Sequence, residues 1–302
     1  MRAVPEPSPQ PGFVNAHTHT FQRALRDLPQ SSGDFWSWRE TMLQLAEQQT
    51  PETVRESYTA TYVEMRAAGY AAVGEFHYLG LDEARAAAEA ADRADVALVI
   101  LLAAYARGGL SRFCQASPAD YFAQVESLRG DGHRVGLAPH SVRACPRDWL
   151  EAIGAYAERE RLALHVHADE QPREIEECLA EHRLRPIELL AEAGCLGPRT
   201  TVVHATHADE NELDLLAESG SRICLCPTTE ADLGDGFFPA AAILERRIGI
   251  CIGSDSNVRI DPHEELRELE WVARRQAGRR GVFSEEQLLA IGTSEGAAAL
   301  GL

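Results

Sequence analysis

The chain has 302 residues, 45% hydrophobic and 25% charged, a globular composition that excludes intrinsic disorder and a collagen-like fibre. Its formal charge of −18, from 29 basic and 47 acidic residues, repels phosphate backbones, so nucleic acid is not an expected partner and an anionic small substrate needs local arginines. All 29 basic residues are arginine, which removes Schiff-base, P-loop and bridging carbamylated-lysine chemistry at once.

Along the chain, short runs rich in Val, Ile, Leu and Ala alternate with longer stretches of helical periodicity. In order the runs are 12–19 (GFVNAHTH), 70–78 (YAAVGEFHY), 95–105 (DVALVILLAAY), 133–141 (HRVGLAPHS), 162–170 (LALHVHADE), 201–209 (TVVHATHAD), 222–230 (RICLCPTTE) and 249–257 (GICIGSDSN). Each reads as a parallel strand buried on both faces. Between them, Thr50-Pro51-Glu52 is a helix start and Gly69 its stop; Ser117-Pro118, Asp261-Pro262 and Ser284 with Glu285 and Glu286 open further helices. Eight strands alternating with helices predict an α/β protein with a (β/α)8 TIM-like barrel, one domain over 1–302. Residues 25–50, with Phe35, Trp36 and Trp38, read as a long loop over the barrel mouth.

The seven scattered cysteines do not form a disulfide framework and fit a reducing cytoplasm. The N-terminal MRAVPEPSPQPGF lacks an apolar leader core, and the longest apolar run, 96–106, is far short of the ~20 residues of a spanning helix. The expectation is a soluble, unprocessed chain without a membrane partner.

Barrel chemistry sits at the C-terminal ends of the strands, and the polar residues gather there. His17 and His19 end the first run, Glu75 to Tyr78 the second and His167 to Glu170 the fifth; His140 to Arg143 follow the fourth, His204 to His207 end the sixth and Asp255 the eighth. His17 and His19, at i and i+2, share a face and form half of a metal site. Two further histidine-bearing strand ends and Asp255 converge on the same mouth. Zinc with histidine and carboxylate ligands and an open position makes hydroxide available at neutral pH, which implies hydrolysis of a polarised C=O or C=N.

On the fifth run His165 and His167 form a second HxH, and spacing alone does not decide which binds. His167, three residues before Glu170, is the arrangement expected of a ligand beside a general acid/base, with His165 then in the barrel interior or supporting a ligand. His204 is placed to touch substrate or hydroxide and His207 belongs to the following turn. Cys224 and Cys226 read as buried core. Arg39 and Arg143 fall in mouth loops, and the guanidinium fork suits carboxylates.

The segments HTHTFQRALR (17–26), DFWSWRE (34–40), GEFHY (74–78), APHSVRA (138–144), HVHADEQ (165–171), VHATH (203–207), LCPTTEADLGDGFFP (225–239) and GSDSNVRIDPHEELR (253–267) resemble the amidohydrolase superfamily over almost the whole chain. Within it they resemble the branch that hydrolyses N-formimino-L-glutamate, in histidine degradation, to N-formyl-L-glutamate and ammonia. The resemblance implies one divalent ion, zinc, held by His17, His19, His167 and Asp255, with no second metal. It implies that Asp255 takes the proton of the activated water, Glu170 protonates the departing nitrogen and His204 positions the hydroxide. It also implies substrate contacts by Gln22, Arg39, Tyr78, His140 and Arg143. Partners are then a small anionic substrate and a candidate homodimer. Members of the family carry a small β-sandwich built from both ends of the chain; with 16 residues before His17 and 47 after Asp255, it is expected to be missing or vestigial. Rival readings are a deaminase of a purine, a triazine or another formimino-amino acid, and an inactive barrel.

Overall fold

The computed structural model describes residues 12–26 and 35–302. The N-terminal stretch read for a leader therefore lies largely outside the described residues, as do 27–34, including Asp34 of the DFWSWRE segment. Eight strands form one parallel sheet paired in chain order: β1 (Phe13–Thr18), β2 (Tyr70–His77), β3 (Ala97–Ala104), β4 (Val135–Pro139), β5 (Leu164–Ala168), β6 (Thr200–His204), β7 (Arg222–Leu225) and β8 (Gly249–Ile252). The barrel closes where β1 meets the segment after β8: Thr18 and Asp255 form a parallel bridge, His19 N donates to Asp255 O at 2.9 Å, and Asp255 N donates to His17 O at 3.0 Å. This seam joins two ends of the chain that carry three of the expected ligands.

All eight predicted strands are present, each shorter than its run because the polar C-terminal residues leave the ladder to form the mouth. The helix signals act as expected. Thr50 and Thr53 cap the helix Pro51–Ala68 reciprocally and Gly69, at φ 107°, ends it; the Ser117, Asp261 and Ser284 side chains each accept a backbone N–H of the helix they open. Among the described residues no helix is long and apolar enough to cross a membrane.

One expectation is corrected. Much of 25–50 is a helix, Phe35–Glu47, preceded by the 3-10 helix Thr20–Leu25. Phe35, Met42 and Ala46 are its buried residues, at i, i+7 and i+11 on one helical face. Trp38, at i+3, lies on the same face and packs partly buried against the core, whereas its neighbour Trp36 falls off the stripe, and the run of closely spaced aromatics obscures that period in the sequence.

The barrel interior is filled with small side chains: Ala16, Val203, Cys224, Cys226, Cys251 and Ala299 form a separate buried cluster. Both cysteines of the CLC pair are thus core, as expected. Gly253 permits the close approach of β8 to β1, since a Cβ there would meet His17 O at 2.5 Å. Packing therefore sets the height of His17 in the barrel.

Candidate metal centre and active-site cleft

Four ligand atoms from β1, β5 and the segment after β8 converge. His17, His19, His167 and Asp255 are buried, with their donor atoms all within 4.8 Å of one another. The Nε2 atom of His167 lies 3.1 Å from that of His17 and 3.3 Å from that of His19, and Asp255 Oδ1 lies 3.3 and 3.4 Å from His17 and His19 Nε2. A tetrahedron of ligands at about 2.0–2.1 Å from an ion has edges of about 3.3–3.4 Å, so these four spacings match a preformed tetrahedral pocket.

The tautomers agree. His19 Nδ1 donates to Phe76 O at 3.1 Å and His167 Nδ1 to His140 O at 3.0 Å, which leaves the Nε2 lone pairs facing inward. Burial holds the pKa of His17 down to about 3 and lowers those of His19 and His167, so all three rings are neutral at pH 7. Burial alone would raise the Asp255 pKa; its polar contact with His17 and the positive charge of His204 lower it, keeping the carboxylate ionised. Inward lone pairs about 3 Å apart beside a buried carboxylate repel one another unless a cation lies between them. The donor set fits a divalent ion such as zinc.

The backbone at this point is held in an uncommon conformation. Asp255 has φ 43° and Asn257 φ 61°, costly for residues with a side chain and maintained only by their surroundings. Asn257, fully buried, is the clasp. Its Nδ2 donates to Asp255 O at 3.0 Å, His19 O at 3.1 Å and Thr18 Oγ1 at 2.8 Å, and Ser254 Oγ donates to its Oδ1 at 2.7 Å. Without it the Asp255 turn is held to β1 by the backbone bonds of the seam and by Thr18 Oγ1 alone. Asn257→Gly, which keeps the backbone conformation accessible, is expected to weaken zinc binding about 10–100-fold in a chelator competition; wild-type affinity would show that the turn holds itself.

Next to this cluster opens a cleft lined by His19, His167, Glu170, His204 and Asp255. It is also lined by Gln22, Arg39, Tyr78, His140 and Arg143, so the structure brings every sequence-selected residue except the deeper His17 to one surface. Gln22 Nε2 donates to Tyr78 Oη at 3.1 Å while its Oε1 is buried without a partner. Arg39 Nη2 donates to Gly108 O at 2.6 Å. Arg143 lies 3.3 Å from Glu174 and 3.8 Å from Glu170, with its guanidinium 5.9 Å from the Trp36 ring.

His204, at the end of β6 with φ 73°, sits among acids. Its Nε2 is 3.6 Å from Glu170 Oε1 and 3.9 Å from Asp255 Oδ2; its Nδ1 is 3.3 Å from Glu230 Oε1. Burial opposes its charged form, but the carboxylates of Glu170, Glu230 and Asp255 prevail and raise its pKa to about 10. Burial pushes Glu170 up to about 7, against the pull of His204 and Arg143. The cleft thus offers a cationic imidazole and a proton-bearing acid side by side.

Two other histidines fall as expected. His165 is in the barrel interior, with Nε2 donating to Ala299 O at 2.9 Å, and His207 is in the turn after β6, donating to Asp235 O. The sequence reading missed Glu230, Glu174 and Asn257. Glu230 follows a strand end like the residues that were chosen, and the rule that selected them applies to it. Glu174 lies one helical turn after Glu170, accepting its N–H at 3.2 Å, and Asn257 is two residues past Asp255; neither carries a signal separate from its neighbour.

A parallel barrel bearing an HxH pair on β1, a histidine on β5 and an aspartate after β8 around one pocket defines a metal-dependent barrel hydrolase. The chain belongs to the amidohydrolase family, matched over residues 10–302, and is a hydrolytic enzyme. It is 36% identical to formimidoylglutamate deiminase of Pseudomonas aeruginosa over 92% of this chain and 67% of that protein. Among solved structures, an amidohydrolase from Brucella melitensis superposes with a TM-score of 0.90 at 33% identity, covering 100% of this chain and 75% of that one. An adenosine deaminase from Xanthomonas campestris with bound zinc superposes at 0.87 and 26% identity, covering 96% and 67%. The chain spans two thirds to three quarters of the length of these three relatives.

Proposed function

We propose that this enzyme deiminates N-formimino-L-glutamate, giving N-formyl-L-glutamate and ammonia, with one zinc ion held by His17, His19, His167 and Asp255. The observation that carries the reading is the polarity of the cleft. Glu170, Glu230 and Asp255 surround His204 at one end, and the same cleft is lined by the guanidinium groups of Arg39 and Arg143. A cationic amidine joined to two carboxylates matches that division of charge. A neutral purine offers neither arginine a carboxylate. The similarity to the Pseudomonas deiminase points to the same substrate.

A divalent ion at the four-ligand pocket supplies Lewis acidity toward water and the C=N group. The chain's own groups supply the rest. Asp255 presents Oδ1 to the ligand rings and Oδ2 toward His204, and Oδ2 accepts the proton lost by the attacking water. The water oxygen bonds to the formimino carbon, while His204, charged and fixed by Glu230, donates a hydrogen bond from Nε2 to that oxygen. Glu170 gives its proton to the terminal nitrogen, the bond from carbon to that nitrogen breaks and ammonia leaves; the remaining hydroxyl proton passes to the Glu170 carboxylate as the formyl C=O forms, and Asp255 releases its proton to solvent, so that N-formyl-L-glutamate departs from a restored site. Gln22 Oε1, buried without a donor, accepts from the substrate's N–H.

Incubation with N-formimino-L-glutamate should release ammonia and N-formyl-L-glutamate in equal amounts. Turnover of adenosine instead would replace this reading with a purine deaminase, and a zinc-loaded protein inert to both would favour a scaffold. Arg39 offers the cleaner test of carboxylate recognition, because Arg143 also braces Glu170. Arg39→Ala is expected to raise KM about 10–100-fold, the loss of one charge-assisted hydrogen bond, with kcat nearly unchanged. An unchanged KM in steady-state kinetics removes Arg39 from the site.

A further inference from the structure

Asp235 adds a fourth acid to the surroundings of His204. It lies in the loop after the helix Pro227–Leu233, and one of its carboxylate oxygens is within 4.8 Å of both a Glu170 oxygen and a His204 ring nitrogen, all three residues being buried. Its position is fixed on three sides: its N–H donates to Glu230 O at 2.9 Å, its carbonyl accepts from His207 Nε2 at 2.7 Å, and its Oδ1 accepts from Gln171 Nε2. The other oxygen, Oδ2, is buried and has no hydrogen-bond partner among the described residues. An acceptor held rigidly in a dry site without a donor is costly.

His204 is the cation within reach of Asp235, and it offsets that cost only in part because other acids share it. Arg143 stands closer to Glu174, at 3.3 Å, than to Glu170, at 3.8 Å, and His204 is shared among Glu170, Glu230 and Asp255. An ion in the four-ligand pocket engages Asp255 and leaves Glu170 and Asp235 as they are. We propose that Glu170, His204 and Asp235 form a second divalent-cation site, and that filling it inhibits the enzyme. When the entering ion displaces the protons of His204 and Glu170, one imidazole nitrogen and two carboxylate oxygens make a borderline donor set that prefers zinc to magnesium, so uptake strengthens as pH rises. Glu170 and His204 line the cleft, so the ion enters by the substrate's route. Once bound, it holds the two groups that the reaction needs free. Binding at this site does not depend on which substrate the enzyme takes; only the inhibitory consequence rests on the proposed function.

The test is a zinc titration of the one-zinc holoenzyme by equilibrium dialysis with elemental analysis. The wild type is expected to take up a second ion per chain. Asp235→Asn and Glu170→Gln are each expected to weaken that second ion at least about tenfold while retaining the first. In the activity assay excess zinc should inhibit the wild type competitively with substrate, and Asp235→Asn should need at least about tenfold more zinc for the same inhibition. A wild type that stays at one ion throughout, or a second ion that neither substitution weakens, overturns the proposal. Should Asp235→Asn fail to fold, the stoichiometry of Glu170→Gln decides alone, because Glu170 makes none of the backbone contacts that hold the loop. A protein inactive on every substrate still answers through the ion count.

Discussion

Glu170→Gln is expected to lower kcat by about 10²–10⁴-fold while the protein retains its zinc. Glutamine preserves the shape and the approach to Arg143 and His204, 3.8 and 3.6 Å away, but carries no proton for a departing nitrogen. Glu170 is outside the four-atom pocket, so the metal content of the variant should equal that of the wild type by elemental analysis. Loss of zinc together with activity would make Glu170 a ligand and not an acid. Activity within a few-fold of the wild type would assign the proton to another group.

The second large effect concerns the pocket itself. His167→Ala removes the ring whose Nε2 faces His17 at 3.1 Å and His19 at 3.3 Å, and it should leave a folded protein that does not retain zinc through chelation and dialysis and has no measurable turnover. Because an ion that binds only the native state stabilises it by mass action, about 2.7 kcal/mol at a hundred times Kd, the wild type should melt at a higher temperature with zinc than without. The variant should melt at the same temperature in both conditions. Full zinc occupancy in His167→Ala would mean that β5 does not contribute to the centre, and the tetrahedral assignment would fail with it. The neighbouring His165 serves as an internal comparison. It is buried in the barrel with its Nε2 committed to Ala299 O, so His165→Ala should reduce stability but leave zinc bound.

Much of the architecture was legible beforehand because burial on both faces imposes an unmistakable composition. A strand such as 97–104, ALVILLAA, has no polar side to show, and eight such runs separated by capped helices leave few arrangements other than a closed parallel barrel. The exception was Phe35–Glu47. Its buried stripe of Phe35, Met42 and Ala46 is thin, and the crowding of Phe35, Trp36 and Trp38, of which Trp36 lies off the stripe, made a helix look like a loop.

Site residues were legible to the extent that chain direction alone places them, since in this fold the C-terminal ends of all strands open on one face. That rule selected His17, His19, Glu170, His204 and Asp255 without coordinates, and the HxxE spacing favoured His167 over His165. The distances belong to the tertiary structure. Whether atoms of residues 17 and 19 stand 3.1–3.4 Å from those of residues 167 and 255 depends on barrel closure at Thr18 and Asp255 and on the left-handed turn clasped by Asn257, neither of which has a local signature. Composition and periodicity record which side chains avoid water and in what order they come. The relations among distant side chains, such as the tautomers of the rings, the sharing of Arg143 between two glutamates and the unpartnered oxygen of Asp235, arise only when packing brings separate strands to a common rim, because electrostatic and hydrogen-bond energies follow separation in space and not along the chain.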